Sequence, residues 1–333
     1  MAMRILPGSG SRSRIRRPLR AAGLALAGLL LLIGLGVVTH QQRSLPVQSF
    51  SGNTWSIVAA DPDSGDVGLA VASCVPDFHA DVVAALVPGM GAGATQAQFE
   101  LANRDRVYEL LQDGQAAAAI VDQVSDTDYD ARAGVRQYGL VTIQDGRAQT
   151  AAFTGSDNFP YAGDRQAPEA GVTVQGNILV SEEVVSAAMA AFLEDDPAGY
   201  NALPDRLLRA LEAGSAAGGD QRCNNDEVSQ TAATAALLVA RGGDAPYAID
   251  RVGETDAGTA AAPWLALSVV EPQFGPNPLV ELRRQYNAWR PAHLLPPVEG
   301  GLNGLVLALA GAIVILAAVA VLVWIRRRGR EEP

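Results

Sequence analysis

Two long runs without a formal charge bracket this chain, and no other feature limits its fold as much. Between Arg20 and Arg43 there is no Asp, Glu, Lys or Arg, and residues 21–38 are nearly all Leu, Ala, Gly, Ile and Val. Between Glu299 and Arg326 a further 26 residues carry no charge, centred on the run from Leu305 to Trp324. A helix of about 20 apolar residues crosses the hydrocarbon core of a bilayer, so each run is long enough to span. Arg4, Arg12, Arg14, Arg16, Arg17 and Arg20 precede the first run, and Arg326, Arg327, Arg328 and Arg330 follow the second. Arg-rich flanks resist translocation. The expectation is a two-pass cell-membrane protein with both termini cytoplasmic and its main domain extracytoplasmic. Its parts run as an Arg-rich start (1–20), a signal anchor (21–39), a linker (40–53), one domain (54–290), a Pro-rich spacer (291–301), a transmembrane helix (302–325) and a cytoplasmic tail (326–333). The lipid bilayer is then a partner through two helices. Two alternatives stay open. The first run could be a cleaved secretory signal, although no A-x-A-like small-residue site follows Val38. The tail, with Gly300-Gly301, an apolar run and an Arg cluster, also resembles a three-part C-terminal sorting signal.

The stretch from 44 to 299 carries 14 Arg against 34 Asp and Glu, a net charge of −20. Such a surface repels nucleic acid, which is excluded as a partner, and its acidity is read as solubility rather than recognition. All 25 basic residues are Arg. Without lysine there is no Schiff base, no Ser-Lys dyad and no phosphate-binding GxxxxGK loop. The three histidines, His40, His79 and His293, are far apart and form no ligand-spaced pair, so neither a metal nor a cofactor is implied. Asp122, Asp126, Asp128 and Asp130 lack the glycine and the bidentate Glu of a calcium loop and read as a solvated loop.

Between the apolar runs the pattern alternates between strand-like and helical segments. Residues 54–60 and 67–73 flank a Pro/Asp/Gly turn and read as a β-hairpin. Further strands are expected at 82–87, 91–97, 139–143, 148–154, 172–178, 232–240 and 264–270, and helices at 101–112, 115–124, 182–193, 203–211 and 278–289. The prolines after Arg290 are expected to stop the last helix. Residues 41–53 are polar and without periodicity, as a linker would be. Strands and helices come in blocks, the mark of a layered α+β fold.

At several points the chain resembles a known family. Residues 54–61, Thr-Trp-Ser-Ile-Val-Ala-Ala-Asp, and 68–73, Gly-Leu-Ala-Val-Ala-Ser, open the series. Gly-Ala-Gly-Ala-Thr-Gln at 91–96, Thr-Gly at 154–155, Val-Gln-Gly-Asn at 174–177, Gly-Gly-Asp at 218–220 with Arg222, and Pro-Leu-Val-Glu-Leu-Arg at 278–283 follow in order. Together they resemble the bacterial domain of unknown function 1028, over roughly Thr54 to Arg290. That family is similar in fold to the N-terminal nucleophile (Ntn) hydrolases. The resemblance therefore implies a four-layer αββα sandwich, here expected to be flanked by the two transmembrane helices.

In an Ntn enzyme a Thr, Ser or Cys becomes the first residue, and its own α-amino group activates its side chain without histidine. The resemblance puts Thr54 in that role as nucleophile for amide-bond hydrolysis, although in the uncut chain its nitrogen is acylated by Asn53. A non-enzymatic envelope module, binding a small molecule or another envelope protein, is the alternative on the same scaffold. Gln96 and Asn177, with Gln175 and Ser73, are candidates for supporting roles, since an amide donor can stabilise an oxyanion. Buried amides also serve simply to satisfy backbone groups. Asp220 is placed either to orient the Thr54 amine or Arg222, or to cap a turn. Cys74 and Cys223 flank the motifs carrying Ser73 and Asp220, so a disulfide between them is expected in an oxidising compartment.

Overall fold

The computed structural model describes residues 49–52, 54–224, 230–248, 263–271 and 275–294. Among the described residues twelve strands pair into two sheets, all antiparallel. The first sheet contains β2 (Thr54–Ala60), β3 (Val67–Ser73), β8 (Gly163–Ala167), β9 (Val172–Gly176), β10 (Thr234–Ala240) and β12 (Leu265–Val270). They lie in the order β12-β10-β3-β2-β9-β8. The second sheet holds β4 (Ala84–Val87), β5 (Gly91–Glu100), β6 (Arg136–Gln144), β7 (Arg147–Thr154) and β11 (Tyr247–Ala248). Its order is β11-β4-β5-β6-β7, and β1 (Ser49–Gly52) joins it by pairing with the end of β5.

Strand periodicity decides what each face meets, because successive side chains point to opposite sides of a sheet. In β2, Trp55, Ile57 and Ala59 join one cluster with residues of α3 (Glu183–Leu193), α4 (Leu203–Ala216) and α5 (Pro278–His293). The alternate residues Val58 and Ala60 join Leu69, Val71, Ala92, Ala94 and Val141 in a second cluster between the two sheets. The outer face of the second sheet packs Leu140 and Val87 against Val107 and Leu111 of α1 (Leu101–Gln112) and Ile120 of α2 (Ala117–Val124). Helices therefore cover both outer faces. The strand that starts at Thr54 is buried on both, which is why it reads as an almost unbroken apolar run. Trp55 also fixes α4 to that strand: its indole N–H donates to Leu211 O at 3.3 Å, and a Cβ on Gly214 would lie 2.8 Å from Nε1.

Several expectations are corrected. Among the described residues no helix is long and apolar enough to cross a membrane. The longest, α5, has 16 residues and carries Glu281, Arg283, Arg284 and Arg290. The anchors expected at 21–39 and 302–325 lie outside the described residues. The flanking membrane helices, and with them the two-pass placement with cytoplasmic termini and an extracytoplasmic domain, therefore give way to a mixed α+β fold of two antiparallel sheets.

Within the domain, residues 49–52 form β1 rather than linker, because antiparallel backbone pairing with β5 needs no apolar alternation. Residues 80–83 coil into a 3-10 turn before β4. The strand expected at 172–178 ends at Gly176, and Ile178 has φ 49°. The last helix runs on through Pro291 to His293. A proline there removes only its own N–H, and Asn287, four residues earlier, is exposed so that water can satisfy its carbonyl. β8 was not expected, since Gly-Asp-Arg-Gln-Ala shows neither apolar alternation nor β-branched residues.

Candidate functional site

Thr54, Ser56, Val58 and Ala60 share the inter-sheet face of β2, so the apolar layer turns polar toward the start of the strand. Register carries this across the sheet. Thr54 pairs with Ser73 and Ser73 with Thr234, which sets three hydroxyl side chains in one row on β2, β3 and β10. All three are at most 1% exposed. The Thr234 hydroxyl donates to Val269 O at 2.9 Å.

Beside this row lies a buried amide network linking the two sheets. The Ser56 hydroxyl donates to Gln96 Oε1 at 2.6 Å and accepts from Gln175 Nε2 at 2.5 Å. Gln96 Nε2 donates to Gln137 Oε1 at 2.8 Å and to Thr54 O at 3.2 Å. Asn177 Nδ2 donates to the same Gln137 oxygen at 2.9 Å, while the Asn177 backbone N–H donates to Thr54 O at 3.1 Å. Gln137 Nε2 reaches Gly176 O at 2.9 Å and Thr154 Oγ1 at 3.0 Å. In a low-dielectric layer such bonds are strong and an unmet group is costly, so the network holds one geometry. One atom is left over: Asn177 Oδ1 is buried and has no hydrogen-bond partner among the described residues.

Two glycines make the network possible. A Cβ on Gly139 of β6 would collide with the Gln175 carboxamide, and one on Gly176 would come within 2.6 Å of Leu179 Cδ1. The close packing around 175–177 depends on Gly176. A second glycine on the facing sheet carries as much of it.

Asp220 lies just beyond Ser73. Its Oδ2 accepts from the Cys74 N–H at 3.3 Å and from Arg222 Nη2 at 2.6 Å, and its Oδ1 accepts from the Arg222 backbone N–H and Nε at 3.0 Å. Burial pushes its carboxyl above the usual aspartate range, with Arg222 pulling the other way. Both oxygens are engaged by Cys74 and Arg222, so Asp220 organises the turn. The same turn holds Cys223, joined to Cys74 by a disulfide with Cα atoms 5.7 Å apart.

The structure thus gathers Thr54, Ser73, Gln96, Gln175 and Asn177 at one end of the inter-sheet layer and sets Asp220 and the disulfide beside them. The sequence reading missed Ser56, Gln137 and Thr234. A polar residue at an inward position of an apolar strand would have marked Ser56, and Gln137 fell outside the strand expected at 139–143. Among the described residues no group of three or more His, Cys, Asp or Glu is placed to hold a metal ion. His79 Nδ1 lies 4.0 Å from Asp81 Oδ1, away from the network. The Asp130 carboxylate, expected in a solvated loop, instead pairs with the buried Arg136 at 2.6 Å and with Asn103 at 2.8 Å. Against burial, these bonds lower its pKa.

A cleft of about 750 Å³ opens elsewhere, on the outer helical layer, between α4 and α5. Two ion pairs line it, beside Asp196 and Arg209. Arg290 pairs with Asp205 at 2.7 Å, Arg283 pairs with Glu212 at 2.5 Å, and Arg209 donates to the carbonyls of Ala191, Tyr200 and Glu194.

These features define a class: a two-sheet α+β domain whose inter-sheet layer ends in hydroxyl and amide side chains around the first residue of a central strand. The chain belongs to the family of unknown function DUF1028, whose profile matches residues 54–272. It is similar to the crystal structure of protein SPO2555 from Silicibacter pomeroyi, assigned to the same family, with 24% identity and a TM-score of 0.51. That likeness covers 71% of this chain and 88% of the other, and it speaks for the fold alone. No curated protein matches the chain.

Proposed function

We propose that this protein is an amide-bond hydrolase of the N-terminal nucleophile type, with Thr54 as nucleophile once the Asn53–Thr54 bond is broken. The observation that carries the reading is the fixing of Thr54. Gln96 Nε2 and the Asn177 N–H both donate to its carbonyl, and its side chain heads a hydroxyl row at the start of β2. A free amine on Thr54 would supply the base that a histidine-poor, lysine-free domain otherwise lacks. Asn177 Oδ1, buried and without a hydrogen-bond partner among the described residues, leaves an acceptor free in the network around Thr54. Two stacked antiparallel sheets with helices outside support the likeness to the Ntn class. Supporting roles fall to Gln96 and Asn177, which hold the Thr54 backbone, while Asp220 acts only through the neighbouring turn.

One observation favours a second reading. Thr54 is 1% exposed, and its nitrogen is acylated in the intact chain. An uncut chain would serve as a non-enzymatic module that binds a small molecule or a protein. Intact-mass analysis with N-terminal sequencing separates the two. The hydrolase reading expects a fragment beginning at position 54 in wild type and in Thr54→Ser, and none in Thr54→Ala. A wild type that stays whole, with Thr54→Ala equivalent to it in every function, establishes the module instead.

A further inference from the structure

The segment before Thr54 changes sheets. Ser49–Gly52 pairs antiparallel with β5 of the second sheet, Gly52 opposite Ala97 and Ser49 opposite Glu100. Two residues on from Gly52, Thr54 begins β2 in the other sheet. Asn53 is the only link between them, so the bond that must break lies at this crossing.

The stretch of β5 that receives β1 is set apart from the rest of the strand. Pairing with β6 ends where Ala97 meets Arg136. Ala97 has φ 72°, in the left-handed region that a side chain disfavours, as at a bulge that redirects a strand. Beyond it, the side facing β6 is taken by the buried Arg136 guanidinium, which bonds Gln98 O and the Glu100 carboxylate. Only the opposite edge remains for a strand, and β1 fills it.

We propose that this edge of β5, from Ala97 to Glu100, is the acyl-side subsite of the hydrolase and that its substrates are extended peptides bound by their main chain. The protein's own Ser49–Gly52 strand would be its first occupant. The inference rests on the Thr54 reading, and the chemistry ties the two together. In self-cleavage the Thr54 hydroxyl attacks the Asn53 carbonyl carbon. The Asn53–Thr54 C–N bond breaks, an ester to Thr54 Oγ forms, and the hydroxyl proton passes to the freed nitrogen. Water then hydrolyses the ester, returning the hydroxyl and leaving a carboxylate on Asn53. That ester is an acyl-enzyme whose acyl chain ends in Ser-Phe-Ser-Gly-Asn, with Ser49–Gly52 paired along β5. A peptide substrate attacked by the same oxygen forms the same kind of ester, and its acyl chain takes the same place. Strand addition at an exposed edge derives its affinity from main-chain hydrogen bonds, which fits a subsite built from backbone.

The test uses the full chain carrying Thr54→Ala, which cannot cut itself, with and without Ser51→Pro. Proline in β1 removes a donor and weakens strand pairing. The probe is fluorescein-labelled Ser-Phe-Ser-Gly-Asn amide, followed by fluorescence anisotropy. Ser51→Pro should tighten probe binding at least tenfold over Thr54→Ala alone, and backbone N-methylation of the probe should abolish it. Equal binding with and without Ser51→Pro, or equal binding of the N-methylated probe, overturns the subsite. Thermal melts confirm that each variant is folded. The outcomes also separate the two readings. Cleavage at Thr54 in the wild type without probe binding in the Ser51→Pro chain retains the nucleophile and removes this edge. Probe binding with no cleavage in wild type retains a peptide-binding edge and removes the hydrolase.

Discussion

Reducing the Cys74–Cys223 bridge should cost this domain a large share of its stability. The bridge closes a loop of 149 residues. In the chain-entropy treatment a loop of that length restricts the unfolded ensemble by about 5 kcal/mol at 25 °C. For a domain of this size each kcal/mol moves the melting midpoint by about 2–4 °C, so full reduction should lower it by about 10–20 °C. Native packing should change little, because both cysteines are buried with Ala233 in a small cluster of their own. The Cys74 N–H bond to Asp220 uses backbone and survives reduction. The assay is circular dichroism melting of the oxidised protein, the protein reduced under denaturant and refolded, and the Cys74→Ala/Cys223→Ala chain. The two bridgeless forms should melt within a few degrees of each other. A bridgeless midpoint within about 3 °C of the oxidised one, roughly 1 kcal/mol, would refute the argument that loop closure is what the bridge supplies.

Three further outcomes follow from the buried polar groups. Gly139→Ala places a methyl where the Gln175 amide lies; forcing that amide from Ser56 should cost about 1–3 kcal/mol, read as a lower urea midpoint at unchanged slope. Arg136→Met leaves Asp130 and Glu100 without their buried partner and should destabilise by about 3–5 kcal/mol, whereas a loss below about 1 kcal/mol would show the cluster to be open to water. Burial raises the Asp81 carboxyl, against His79 and two backbone N–H groups. A raised acid binds its proton more tightly when folded, so its contribution is fullest below the ordinary aspartate value near 4 and is lost as pH rises through the folded one. Asp81→Asn should therefore flatten the stability profile above about pH 4 relative to wild type; an unchanged profile counts against the shift.

How much of this was legible in sequence differs from element to element. The β2–β3 hairpin was, because a strand buried on both faces writes itself as an apolar run and its turn as Pro, Asp and Gly. The helices 101–112 and 278–289 were found by periodicity, while the last turn of α5 was hidden behind Pro291. β1 and β8 could not be found: both are short segments paired through backbone, and backbone pairing leaves no mark on residue type. The disulfide was foreseen because two motifs expected at one end each carried a cysteine. Within the site, Thr54, Gln96 and Asn177 stood out, yet Gln137, which accepts from both amides, did not. Its role depends on the facing of two sheets that no local pattern records.

The indole of Trp55 meeting α4 at Leu211 and Gly214 has a temporal consequence. Thr54 is set by partners at positions 73, 96 and 177 and, through the hydroxyl row, 234, and the strand beneath it is seated by a helix about 160 residues downstream. During synthesis the latest of these pieces, α4 and Thr234, leave the ribosome well after Thr54. The neighbourhood of Thr54 is thus complete only when nearly the whole domain has emerged and folded. If Thr54 reacts as proposed, it would do so only once the domain around it has folded, so a half-made chain would not yet be competent.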